Sequence, residues 1–409
     1  MVMGVDLGEW LNLAIRWLHL TAGIAWIGSS FYFVWLDNHL KQPAEGEASG
    51  ELWSVHGGGF YHQQKYQVAP ARMPPDLHWF KWEAYFTWIS GFALLVLVYY
   101  VGAGAFLIDP AKGSLLPIEA IGIGLAAILI AWLFYDMLCR SWAGESNKQL
   151  GIVWFAFLLI AAIWLDSRLS SRGAYLHIGA MIGTVMVANV FVVIIPNQRK
   201  VVAALMAGKS PSPALGKAAK QRSLHNNYMT LPVLFIMISH HYPMTYGAER
   251  PWLVLALLSL TGVAIRHVFN LRGRGEKTGP TIALAAVLAL ASVTYVSLEK
   301  ATVRASEKER EAEAEPTQPA LTGAASFAGV QPILAKHCAG CHSTKPTDPG
   351  FTSPPAGLLL DSYGHVSAAA ARIKARAVDT ETMPLGNKTG MTRAERDRLG
   401  AWIEAGARR

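Results

Sequence analysis

The sequence predicts an all-α fold, a polytopic eight-helix transmembrane bundle followed by a small soluble domain, and three observations carry that expectation. Of 409 residues, 52% are hydrophobic and only 16% charged, too apolar for an ordinary soluble protein. The apolar residues gather in runs at about 10–36, 84–107, 118–138, 149–165, 174–196, 224–243, 251–271 and 280–298, each near the ~20 residues that cross a bilayer as a helix. Beyond 298 no such run follows.

The fourth run is the shortest and the sixth and seventh carry polar ends, so seven crossings are the alternative count. Loops after odd-numbered helices (37–81, 139–150, 196–223, 271–279) hold 15 Lys and Arg, against 4 in loops after even-numbered ones (103–117, 166–173, 242–250). The positive-inside tendency makes the first group cytoplasmic. Both termini then lie outside, and the helices themselves carry the tail across. The net charge of +8 is thus mostly a topology signal, with no call for nucleic acid.

The domain expectation is a membrane domain over 1–298, a flexible linker over 299–323 and a soluble domain over 324–409. The linker passes from a charge-dense run to a Pro/Thr/Ala stretch with nothing to bury. The last domain reads as a first helix, a Pro/Gly-rich middle and a final helix started by a capping box, Thr392 with Glu395. Leu399, Trp402 and Ile403 supply that helix's apolar face. The loop 37–81 is long for a connector and holds HGGGFYHQQKY, suited to packing against the membrane domain or covering a site.

At the end of the tail's first helix stands HCAGCHSTK, residues 337–345. Cys338 and Cys341, two residues apart, can each form a thioether to a haem vinyl group, and His342 then ligates the iron. The bland readings, a disulfide or a zinc knuckle, account poorly for the adjacent His. Met383 is the best second ligand, because a thioether raises the potential and suits an electron acceptor; His365 and Met391 are its rivals, and His337 reads as a solvent-facing bystander. The tail resembles class I cytochrome c domains in Cys338-Ala339-Gly340-Cys341-His342, Met383-Pro384 and the terminal helix with Trp402. It departs at Leu334, where an aromatic usually stands.

Ionisable groups within a membrane are costly enough to be functional by default. With alternating helix directions, His19, His177, His240 and His241 fall near the outer face. Asp37, His78, Glu83, Asp136, Arg140, Asn189, His225, Asn226, Asn227, Arg266, His267 and Asn270 fall near the inner face. Histidines from different helices commonly hold b-type haem, and Gly23, one turn after His19, would let a flat ring approach. His19 and His177 are therefore candidate iron ligands. His240 and His241 would point ~100° apart on a regular helix, so only one faces a given haem, and a copper centre using both needs a distorted backbone. Arg266, Asn270, Asn226 and Asn227 offer guanidinium and amide edges to a planar, anionic, amide-rich substrate. Glu83, Asp136 and His225 are candidate bases. The structural readings are cytoplasmic-end snorkelling for Arg266 and Arg140, and a simple one-turn ion pair for Asp136–Arg140. Cys139 stands alone and reads as inert.

RWLHLTAGIAWIGSSFYFVWLD in the first helix, PPDLHWFKWEAY before the second, RSLHNNYMTLPVLFIMISHHYP through the sixth and MPLGNKTGM in the tail resemble the bacterial membrane-bound urate hydroxylases. These join a helical urate-oxidising domain to a C-terminal cytochrome c. The resemblance covers essentially the whole chain. It implies oxidation of urate to 5-hydroxyisourate without hydrogen peroxide, one haem c with one or more haem b, and a soluble cytochrome c or terminal oxidase as electron acceptor. It assigns no urate-binding residue. Two other classes fit the residues: a quinol-oxidising cytochrome b/c fusion, separated by activity with quinol against urate, and an electron-wiring subunit without its own substrate.

Overall fold

A computed structural model describes residues 7–66, 74, 76–109, 112–313, 326–348, 351, 354–355, 358–379 and 381–409. Each of the eight apolar runs forms a helix. α1 spans Leu7–His39; α2 spans Trp82–Leu94 and continues as π-helical turns to Tyr100. The expected second run stops there, because a tight turn at Gly102, where a Cβ would meet the Val98 carbonyl, leads into the short α3, Ala103–Phe106. α4 is Pro117–Arg140, α5 Asn147–Asp166 and α6 Ser171–Ala188. A π-helical segment, Asn189–Ile194, carries α6 into α7, Ile195–Met206, and directly precedes Pro196, which has no N–H to continue an ordinary ladder. α8 is Pro213–Ser239, α9 Pro243–Tyr246, α10 Pro251–Gly273 and α11 Gly279–Glu313.

Among the described residues six helical stretches are long and apolar enough to cross a membrane: Trp82–Tyr100, Pro117–Arg140, Asn147–Asp166, Ser171–Met206, Pro251–Gly273 and Gly279–Glu299. The Trp, Gly, Ser and His content of α1 and the polar first half of α8 leave those two outside the six. The bundle wears its polarity inside. His177, Asn189, Arg222, His225, Asn226, Asn227, Arg266 and Asn270 are buried, while Trp17, Ile24, Ile130, Ile160, Leu290 and Val293 face outward. Hydrocarbon surroundings favour that arrangement. Small residues set the close crossings. A Cβ on Gly179 of α6 would stand 2.6 Å from Ile236 of α8, and one on Gly262 of α10 would stand 3.1 Å from Leu231 of α8.

Two expectations about connectors change. The 37–81 loop contains an antiparallel hairpin, β1 Gly50–His56 with β2 Gly59–Lys65, the one departure from an all-helical fold among the described residues. It lies against the end of α1 through Lys65–Asp37 at 2.7 Å and Gln63–Tyr32 at 3.4 Å. The flexible linker is corrected over 299–313, which continue α11 without a break; its Glu, Lys, Arg and Ala are strong helix formers, with opposite charges spaced to pair along the helix. Residues 314–323 lie outside the described residues.

The tail is built on α12 Phe327–His337, α13 Tyr363–Ala368, α14 Ala370–Ile373 and α15 Arg393–Glu404. The capping box at Thr392 and Glu395 forms as expected. Trp402 is fully buried and donates to the Arg408 carbonyl. Leu334 is buried too, and the aromatic contact between first and last helices comes from Phe327, 5.9 Å from Trp402. The tail meets the bundle at α3: Phe351 packs edge-on to Phe106 at 6.1 Å, and Lys388 donates to the Gly104 carbonyl at 3.3 Å.

Candidate functional site

At the hairpin end of the bundle, α8 presents two polar faces. Arg222, His225 and Asn226 recur at three and four residues, so they share one face. Arg222 donates to Asp136 of α4 at 2.7 Å and to Asn189 at 3.0 Å; Asn189 donates to Asn226 at 2.9 Å; Asn226 donates to the Met186 carbonyl at 2.8 Å. The π-helical turn at Asn189 brings that amide into the network. Asp136 also pairs with Arg140 at 2.8 Å. Two guanidinium groups therefore hold Asp136, one candidate base, and the amide of Asn226 is consumed in crosslinking α6 to α8. His225 lies 3.0 Å from the Tyr135 hydroxyl. Glu83, the third candidate, is half-buried in the first turn of α2 and stands outside this network.

Asn227 is turned ~100° from Asn226 and faces α10. Its Oδ1 accepts from Arg266 Nε at 2.9 Å and from Asn270 Nδ2 at 3.1 Å. Arg266 lies over the ring of Phe31 of α1, 3.9 Å from its centroid, a cation–π contact. All three polar residues are buried, yet among the described residues Asn227 Nδ2 and Asn270 Oδ1 have no hydrogen-bond partner. Leaving such groups unpaired inside a protein costs about 1–3 kcal/mol each. Beside this set Tyr228 and His267 hydrogen-bond at 2.7 Å. The expected grouping of Arg266, Asn270 and Asn227 therefore forms, while Asn226 belongs to the neighbouring network. Phe31, Arg222 and the Tyr135 and Tyr228 partners were not singled out from sequence. Arg222 had a signal, its three- and four-residue spacing to His225 and Asn226; Phe31 had none.

The opposite end carries His19, His177, His240 and His241. His19 Nδ1 is 2.9 Å from the Thr87 carbonyl and 3.2 Å from Ser90 Oγ, and its ring fills the space where a Cβ on Gly91 of α2 would sit. Its Nε2 makes no hydrogen bond among the described residues. His177 is fully buried, with Nδ1 2.8 Å from the Gly173 carbonyl and Nε2 3.3 Å from Tyr100 OH, its ring tight against Gly124 of α4. His19 lies against α2, while His177 packs on Gly124 of α4 and on Tyr100 in the π-helical continuation of α2. Gly23 packs near Thr87 of α2. His240 and His241 lie with ring centroids 3.9 Å apart, where ~100° divergence was expected. The reason is that α8 ends at Ser239 and the chain turns there, His241 and Tyr242 donating to the Ile238 and Ser239 carbonyls.

In the tail, Cys338 and Cys341 stand on a turn closed by His342 N–H donating to the Cys338 carbonyl. Burial pushes both thiols up, to about 12 and about 11, with each further raised by a neighbour, Cys341 for the first and Asp348 for the second. His342 Nδ1 lies 3.1 Å from the Leu358 carbonyl, a contact that fixes the ring and turns Nε2 away from that bond. Met383 is 37% exposed, whereas Met391 is buried in the tail core and His365 is tied to Asp361 at 2.8 Å. The described residues therefore fit a covalently bound haem with Met383 as the thioether available to it. His337 corrects the bystander reading. It is buried, 2.7 Å from Thr389 Oγ1 and 3.1 Å from the Glu395 carboxylate, and bridges α12 to α15. Among the described residues no cluster of three or more His, Cys, Asp or Glu forms a separate metal cage.

Neither the curated proteins nor the solved structures compared with the chain yield a match. The model of one protein family does, the urate oxidase N-terminal family, over residues 6–297, which takes in the whole bundle and both polar faces of α8. On that match, spanning well over half its length, the chain belongs to the urate oxidase N-terminal family.

Proposed function

We propose that this chain is an integral membrane urate hydroxylase that oxidises urate to 5-hydroxyisourate at the hairpin end of its bundle and delivers the electrons to haem in its tail. The observation that carries the reading is the buried Asn227–Arg266–Asn270 set, with a cation and two unpaired amide groups beside an aromatic face, inside a domain of the urate oxidase N-terminal family. Urate is a planar monoanion at neutral pH. Arg266 supplies its counter-charge and Phe31 a flat wall. Counted on neutral urate, the reaction with water yields 5-hydroxyisourate, two electrons and two protons. Loss of electrons makes C5 electrophilic, water adds there, and a base takes the proton. With Asp136 held by two arginines, that base is Glu83, His225 beside the Tyr135 hydroxyl, or the imidazole of His267 next in sequence to Arg266.

Haem, when bound, would supply a one-electron acceptor. Cys338, Cys341, His342 and Met383 are the residues that hold it. From His225 to His240 α8 rises ~22 Å, so a relay within the membrane is part of the proposal. His19, with its free Nε2, is the histidine best placed to ligate it, and His177 would first have to release Tyr100 and Gly124. The proposed setting is the bacterial inner membrane, with the hairpin end cytoplasmic, the tail periplasmic, and a soluble cytochrome c or terminal oxidase receiving electrons. The test is anaerobic addition of urate to the purified protein. Reduction of c-type haem with formation of 5-hydroxyisourate is expected. An unreduced haem, or hydrogen peroxide formed one-for-one with product in air, overturns the proposal.

A further inference from the structure

We infer that the Asn227–Asn270 pair reads a cis-amide edge, a ring N–H beside a ring C=O, and that this edge of the substrate sets the enzyme's choice among purines. The inference rests on the urate reading above and adds to it which atoms are recognised.

A guanidinium has only donors. Arg266 Nε at 2.9 Å therefore fixes Oδ1, rather than Nδ2, as the Asn227 atom that faces it. Asn270 approaches the same Oδ1 at 3.1 Å and must do so with its own Nδ2. One cation thus orients two amides in sequence, and each is left with its other atom unpaired: a donor at Asn227 Nδ2 and an acceptor at Asn270 Oδ1. Asn227 is fully buried and Asn270 is 2% exposed, so bulk water does not meet this demand. The matching ligand offers an acceptor to the first and a donor to the second, as an amide N–H with its adjoining carbonyl does. Urate has such edges at N1–H with its flanking carbonyls, and at N7–H and N9–H with C8=O. A site built to hydrogen-bond a substrate N–H rejects analogues lacking it far more strongly than an apolar pocket rejects a methyl.

The experiment measures equilibrium binding of urate and of 1-, 7- and 9-methylurate to the full-length protein, native and Asn270→Ala. In the native protein at least one methylurate is expected to bind about 30-fold more weakly than urate, because methylation leaves Asn270 Oδ1 buried and unpaired. In Asn270→Ala that discrimination should fall to about threefold or less, as no acceptor remains to be satisfied. Asn227→Leu, which removes the donor together with the Oδ1 that orients Arg266 and Asn270, should weaken urate itself in a protein whose c-type spectrum is unchanged. If all three methylurates bind the native protein as urate does, or the penalty survives Asn270→Ala, the edge reading is wrong while urate binding stands. If urate does not bind the native protein, the site assignment falls with it.

Discussion

At the scale of single residues, charge and hydrogen-bonding capacity decide what each side chain does. Arg266→Ala removes the buried cation opposite an anionic substrate and should cost roughly 2–5 kcal/mol of binding, raising the urate requirement more than tenfold with the haem spectrum intact; steady-state kinetics check this. Cys338→Ala or Cys341→Ala should weaken or abolish c-type absorbance and uncouple urate from respiration, and unchanged oxygen uptake would refute it. Arg396, also buried, donates to the carbonyls of Met383 at 2.7 Å and of Ala377, and to Asn387 at 3.2 Å, holding the loop that carries Met383. Arg396→Met strands those acceptors at about 1–3 kcal/mol, so the tail should melt earlier and its ferric methionine–iron band weaken. Glu395 is partly buried, which works to raise its pKa. Bonds from the Thr392 backbone N–H, His337 and Lys336 outweigh this and hold the carboxyl down at about 2. A lowered carboxylate stabilises the fold above its ordinary value of 4.5 and loses that contribution as pH falls toward 2. Glu395→Gln should flatten the acid dependence of tail stability in that window, followed by c-type absorbance across a pH series.

At the scale of elements, helices approach where a side chain is missing. Gly124 of α4 leaves room for His177 of α6, whose Nε2 would stand 2.2 Å from a Cβ placed there. Gly124→Ala should displace the imidazole or part the two helices, at about 1–3 kcal/mol. The expected sign is a lower melting temperature in detergent, and an unchanged one would show that the ring yields freely. The six helical stretches able to cross a membrane were legible because a bilayer-length apolar run admits few alternatives. The hairpin was not, since HGGGFYHQQKY carries turn glycines without clean alternation. The helical continuation of α11 was misread because high charge density suits both a solvated helix and a disordered tether.

At the scale of the whole molecule, the tail rests on α3 through Lys388 and Phe351, and Asp348 and Cys341 lie on the same side of the tail, since Lys388 also reaches Asp348 at 3.4 Å. The haem-attachment segment thus faces the bundle. Lys388→Glu should slow the first reduction of tail haem by urate several-fold, most strongly at low salt, and leave urate affinity unchanged; stopped-flow mixing reads both. The sequence by itself determined the helical class and its membrane-length apolar runs, because these are local patterns of residue type and spacing. Only the tertiary structure decided that Asp136 is held between two arginines, that His177 packs on Gly124 and Tyr100, that His337 is buried and that Asn227 and Asn270 are left half-paired. Those outcomes depend on helix rotation and on contacts between residues up to about 90 positions apart, and a single turn of ~100° between neighbouring residues settles whether an amide serves the scaffold or the site.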